Sequence, residues 1–147
     1  MSVVDSALVL RNELAEIPRL ARWIAEFLET QGLGDDPSIV HDVQLCLEEI
    51  VTNIIKYAYA QEGPREIWVR LEYRPDALVA QVEDDGEPFN PLEYPRPDLS
   101  LGLAEVEPGG LGIELVREYM DDLSYHWNAS EGRNCLRMVR RLAVSAA

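Results

Sequence analysis

The chain has 147 residues, 47% hydrophobic and 27% charged, which suits one folded domain with a core and excludes a disordered chain. Asp and Glu number 27 against 13 Lys and Arg, a formal charge of −14. That balance lacks the basic footprint of a nucleic-acid binder, and any anionic ligand needs a local site of backbone N–H groups or a cation.

No stretch approaches the roughly 20 apolar residues of a membrane span, and Asp5 and Arg11 interrupt any early leader-like run. Cys46 and Cys135 have no metal-ligand spacing. They read as buried, reduced thiols of a cytoplasmic protein, with a disulfide between them left open by the sequence.

In chain order, Leu8, Val9 and Leu10 point to a strand over residues 7–12. Leu20, Trp23, Ile24, Phe27 and Leu28 recur at i, i+3, i+4, i+7 and i+8, which predicts an amphipathic helix over residues 17–33. Gly32 and Gly34 stop it, and Asp35-Asp36-Pro37-Ser38 forms a turn into the next helix.

That next helix, from His41 to about Ala60, organises the rest. Val43, Leu47, Ile50, Val51, Ile54 and Ile55 give it a broad apolar face. Glu49 and Asn53 stand i and i+4 apart, one turn from each other on the same side. A carboxylate and a carboxamide on a helix built for burial need a partner, for which a metal ion, a water or a phosphate is suitable; the bland alternative is a solvated edge.

Residues 66–73 alternate as a strand with Ile67, Val69, Leu71 and Tyr73 on one face. A Pro75-Asp76 turn leads into a second strand over residues 77–83, making a hairpin. Asp84-x-Gly86 follows, a carboxylate at the rim of a sheet with a glycine that lets the backbone turn or come close to a ligand. Residues 92–108 carry Pro95, Pro97 and Pro108 and little periodicity, a long loop suited to a lid.

Gly109-Gly110-Leu111-Gly112 then opens a helix through Ile113, Val116 and Met120, and N–H groups at such a helix start suit an anion. Neither a Walker loop nor a dinucleotide fingerprint fits it, since no Gly-Lys-Ser/Thr follows and no strand leads directly into it. Strands over residues 122–128 and 135–142 close the chain.

Three phrases now stand in order: Glu49-x-x-x-Asn53 on a helix, Asp84-x-Gly86 after a strand, and Gly109-Gly110-x-Gly112 at a helix start. Together they resemble the N, G1 and G2 boxes of the GHKL (Bergerat-fold) ATP-binding proteins, and among these the anti-sigma regulatory factor kinases. The resemblance spans about residues 8–142. It implies an α/β (α+β) two-layer sandwich, with a mixed, mostly antiparallel sheet and helices on one face.

It also implies ATP and Mg2+ as cofactors, with Asn53 as magnesium ligand and Glu49 as general base for phosphorylation of a Ser or Thr. Asp84 matches the adenine reader; Gly86, Pro88 and Phe89 line the base, and Gly109, Gly110, Leu111 and Gly112 meet the phosphates. The implied partner is an anti-sigma-factor antagonist of the STAS type, a sigma factor, or both. An alternative is a nucleotide-gated partner-switching protein that sequesters a sigma factor without turnover.

The chain departs from the pattern at Tyr57, where many relatives carry His, and Arg96 is the only basic residue of the lid. Lys56 is either a phosphate contact or a solvated cation. Residues Leu8, Val9 and Leu10 and the Trp23 helix offer apolar surface for a homodimer.

Overall fold

The computed structural model describes residues 3–59, 63–93 and 110–143. Its sheet has five strands: β1 (Val4–Arg11), β2 (Glu66–Arg74), β3 (Ala77–Asp84), β4 (Asp122–Asn128) and β5 (Arg133–Arg141), in the order β1-β2-β3-β5-β4. Every pairing among them is antiparallel. The expected mixed sheet is thus fully antiparallel over the described residues. The reason is local: β2–β3 and β4–β5 are hairpins, and the remaining neighbours β1–β2 and β3–β5 also run in opposite directions.

Helices α1 (Ile17–Thr30), α2 (Pro37–Tyr57) and α3 (Gly110–Tyr119) supply the second layer. Leu20, Ile24, Phe27 and Leu28 of α1 are buried, as their spacing predicts. Trp23 is half-buried and donates its indole N–H to Ser6 Oγ of β1 at 3.1 Å, so the polar end of a packed ring is satisfied. The helix is shorter than residues 17–33, because Gln31 and Gly32 already cap it, with Gly32 at φ 77°.

Helix α2 starts at Pro37, with the Asp36 carboxylate accepting from Ser38 N–H at 3.1 Å and Ile39 N–H at 3.2 Å. Ile39, Val43, Cys46, Leu47, Ile50 and Val51 form its buried stripe. That stripe packs on Leu10, Ile67, Val69, Leu71, Leu78, Ala80, Val82, Leu136 and Met138, the inward phases of four strands. Burial of each such aliphatic side chain contributes about 1.5–3 kcal/mol.

Both thiols are free, Cys46 buried and Cys135 half-buried. Burial and the nearby Asp42 push the Cys46 thiol up to about 12, so it stays protonated.

Polar residues interrupt the inward phases at the two ends of the sheet. At one end Arg140 of β5 gives Nε–H to the buried Asp42 carboxylate of α2 at 3.1 Å. At the other end, Asp84 of β3 and Asn134 of β5 are direct cross-strand partners, 5% and 6% exposed. The first pair fastens the helical layer to the sheet; the second lies at the cavity described next.

Candidate functional site

A cavity of about 280 Å³ opens between α2, α3 and the end of the sheet where β3 stops. Ile50 and Ile54 of α2, Val82 of β3, Ile113 of α3 and Leu136 of β5 give it apolar walls. Tyr57 and Phe89, 56% and 50% exposed, also line it. Asp84, Asn134 and Asn53 supply polar groups to its lining. A largely apolar cleft with a few fixed polar atoms has the character of a small-molecule site.

Asp84 is the last residue of β3, and its phase with Leu78, Ala80 and Val82 turns it inward. Its Oδ1 accepts from Gly86 N–H at 2.9 Å and from Asn134 Nδ2–H at 3.1 Å. Burial raises its carboxyl above the usual range, the two hydrogen bonds oppose that, and the neighbouring Asp85 adds to it.

Gly86 lies against the end of α2. A Cβ built there would stand 2.4 Å from the Ala58 carbonyl oxygen, while Glu87 N–H donates to that same oxygen at 3.1 Å. The close approach that requires glycine is therefore to the end of this helix, and it fixes the 84–89 turn against α2. Pro88 and Phe89 extend the wall from there, and Phe89 N–H donates to Asn134 Oδ1 at 2.9 Å.

On α2, Glu49 and Asn53 do converge. A Cβ on Gly112 would lie 2.8 Å from Glu49 Oε2 and 3.1 Å from Asn53 Nδ2. The start of α3 thus rests on both side chains, and only the missing Cβ makes room. Ile113, Val116 and Met120 seat α3 in the core and hold it there. Arg117 of α3 gives Nη2–H to the Leu92 carbonyl at 2.9 Å, tying this helix to the short turn at Pro91–Glu93. Beside Glu49, burial raises the Glu48 carboxyl above its ordinary range, and the charge of Glu49 adds to that shift.

The structure brings Asn53, Asp84, Pro88 and Phe89 to one cavity, with Gly86, Gly112 and Glu49 packed directly behind its walls. Gly110 begins α3 and Leu111 follows it. Gly109, Arg96 and residues 94–108 of the expected lid lie outside the described residues. Lys56 is exposed at the end of α2. Asn134 and Tyr125 also line the cavity, although the sequence marks them only as part of the closing strands and not as site residues. The signal for Asn134 was available, since it shares the strand phase of Leu136 and Met138, where a polar side chain must find partners.

Asn53 offers a hard oxygen donor, and Glu49 is one turn away. No cluster of three or more His, Cys, Asp or Glu side chains suited to a metal exists among the described residues. This donor set fits magnesium that takes its other ligands from phosphate and water, and does not fit a cation held by protein alone.

Among the described residues no helix is long and apolar enough to cross a membrane. The model of the histidine kinase-like ATPase domain matches residues 10–140. The serine/threonine-protein kinase BtrW of Bordetella bronchiseptica is 31% identical over 88 residues, 57% of this chain and 62% of that protein. The serine-protein kinase RsbW of Listeria innocua is 30% identical over 96 residues, 60% of this chain and 59% of that protein. The match therefore spans about three fifths of the length of each of these two kinases. The anti-sigma F factor of Bacillus licheniformis is 24% identical over 149 residues, 100% of this chain and 95% of that protein. With a family match that runs from β1 to β5, the chain belongs to the histidine kinase-like ATPase domain family.

Proposed function

We propose that this protein binds ATP with magnesium and transfers the γ-phosphoryl group to a Ser or Thr of a STAS-type anti-sigma-factor antagonist in the bacterial cytoplasm. The observation that carries the reading is the meeting of Glu49 and Asn53 under the start of α3, beside an apolar cavity with a buried carboxylate among its polar groups.

On this reading the adenine base enters the apolar cavity and its exocyclic amine donates to Asp84. Asn53 would hold magnesium, which supplies charge neutralisation at the phosphates. The N–H groups at the start of α3, at Gly110 and Gly112, would face the phosphates, where the helix dipole favours negative charge. These local groups answer the long-range repulsion expected from a chain of charge −14. Glu49 would accept the proton of the incoming hydroxyl, or orient that hydroxyl, so that its oxygen attacks phosphorus while the nucleoside diphosphate leaves.

A second reading rests on similarity to a protein named an anti-sigma F factor. Here the chain holds a sigma factor when nucleotide is bound and releases it on partner exchange. The acidic surface suits a basic partner. The two readings are compatible.

The test is incubation with γ-labelled ATP and purified STAS proteins of the same organism. Phosphate on a Ser or Thr of one of them, located by mass spectrometry, is the expected result. No transfer to any of them, with sigma factor captured only when ATP is present, would leave the second reading alone.

A further inference from the structure

The roles above leave one extensively hydrogen-bonded side chain of the cavity unassigned. Asn134 is 6% exposed and every polar hydrogen and lone-pair direction it has is engaged. Its Nδ2 donates to Asp84 Oδ1 at 3.1 Å and to the Glu87 carbonyl at 2.9 Å, with the Gly86 carbonyl at 3.4 Å. Its Oδ1 accepts from Phe89 N–H at 2.9 Å and from the Tyr125 hydroxyl.

Chemistry permits one polarity for this network. A backbone N–H only donates, so Phe89 must face the amide oxygen. A backbone carbonyl only accepts, so Glu87 must face the amide nitrogen. Asn134 therefore always presents N–H to Asp84, and Asp84 Oδ1 is committed to two protein donors, Asn134 and Gly86. The remaining oxygen, Oδ2, is the one left for a ligand in the cavity that Asp84 lines.

We propose that Asn134 is the positioning residue of the base subsite, fixing Asp84 so that Oδ2 alone meets the purine 6-position and selects a 6-amino over a 6-oxo group. The inference rests on the nucleotide reading above and deepens it. A 6-amino group donates to Oδ2. A 6-oxo group sets oxygen against oxygen. Without Asn134 the carboxylate loses its fixed orientation and one of the two hydrogen bonds that oppose its protonation, so it can turn or take up a proton and the choice between the two purines fades. A Ser could donate to Asp84 yet would lack the second N–H for Glu87, so a carboxamide alone holds both the carboxylate and the turn that carries Phe89.

Calorimetric titration of the full chain with ATP, purine riboside triphosphate (6-H) and inosine triphosphate (6-oxo) tests this. The wild type is expected to prefer ATP over the 6-H analogue by about 10- to 100-fold, the size of one charge-assisted hydrogen bond. In Asn134→Leu that preference should shrink to about threefold or less and discrimination against the 6-oxo analogue should weaken, on top of any loss common to all three nucleotides from freeing the turn that carries Phe89. Asn134→Thr, which keeps one hydroxyl donor toward Asp84, should recover part of the preference. The pH below which ATP binding is lost should also lie higher in Asn134→Leu than in the wild type.

Asn134→Ala carries the same expectations should the Leu variant fail to fold by circular dichroism. A folded variant that keeps the full ATP preference, or that loses affinity equally for all three nucleotides, overturns the role of Asn134 while leaving the nucleotide site standing. A folded wild type with no preference for ATP overturns the base reading itself, and the inference with it.

Discussion

Asp84→Asn is expected to lower ATP affinity by about 100-fold or more while leaving the protein at least as stable as the wild type. The affinity loss follows from the direction in which the new amide must point. The Oδ1 position receives Gly86 N–H and Asn134 Nδ2–H, both donors, so the asparagine oxygen takes that place. Its NH2 then occupies the Oδ2 position, donor against the donor amine of adenine. A charge-assisted bond of about 1.5–3 kcal/mol is removed and an unpaired donor costing about 1–3 kcal/mol is created. A 6-oxo purine is the better match for that NH2, so inosine triphosphate should gain relative to ATP.

The stability expectation comes from the raised pKa of Asp84, caused first by burial. A carboxyl whose folded-state pKa lies above its unfolded value binds its proton more tightly in the native state. Its ionised form therefore costs stability at every pH above the raised value, and that cost fades as the pH falls through it toward the ordinary carboxylate range. Asparagine removes the cost at neutral pH. The melting temperature of Asp84→Asn should match or exceed the wild type at pH 7, at roughly 2–4 °C per kcal/mol for a domain of this size, and the difference should narrow on acidification. Thermal melts at two pH values, with ATP titrations beside them, check both halves. A variant that binds ATP like the wild type would remove Asp84 from the base subsite.

Glu49→Gln is expected to slow phosphoryl transfer by about 10²- to 10⁴-fold, with ATP affinity changed only a few-fold. The amide keeps the shape and gives up the proton acceptor. Gly112→Ala reaches the same group from the other side. The new Cβ would stand 2.8 Å from Glu49 Oε2, the far end of a flexible side chain, so the carboxylate can swing aside without moving backbone. The fold should survive and transfer should fall. Single-turnover rates with a STAS substrate, read beside ATP binding constants, separate this from a binding defect. Wild-type transfer by Glu49→Gln would exclude the carboxylate as base.

Periodicity made the helical half of the site legible. The stripe of α2 sets which way the helix faces, and the i, i+4 spacing then puts Glu49 and Asn53 together. The strand phase of Leu78, Ala80 and Val82 likewise carries Asp84 inward at the end of β3. What spacing cannot reveal is strand order. Asn134 is 50 residues from Asp84 in sequence, and they meet because β5 inserts between β3 and β4 in an antiparallel register. The same holds at the opposite end, where Arg140 meets Asp42 across 98 residues. In each case a polar residue in an inward strand phase was the visible trace, and its partner was not. Gly86 was legible as a required glycine. Its reason, the Ala58 carbonyl, needed the packing of α2 against the turn.

The most direct measurement of the central claim is calorimetric titration of the purified, folded protein with ATP, with and without magnesium, beside Asn53→Ala. Saturable binding of one nucleotide per chain, tightened by magnesium in the wild type and indifferent to it in Asn53→Ala, is the predicted result. No binding of ATP by a wild-type protein with an intact thermal transition would contradict it.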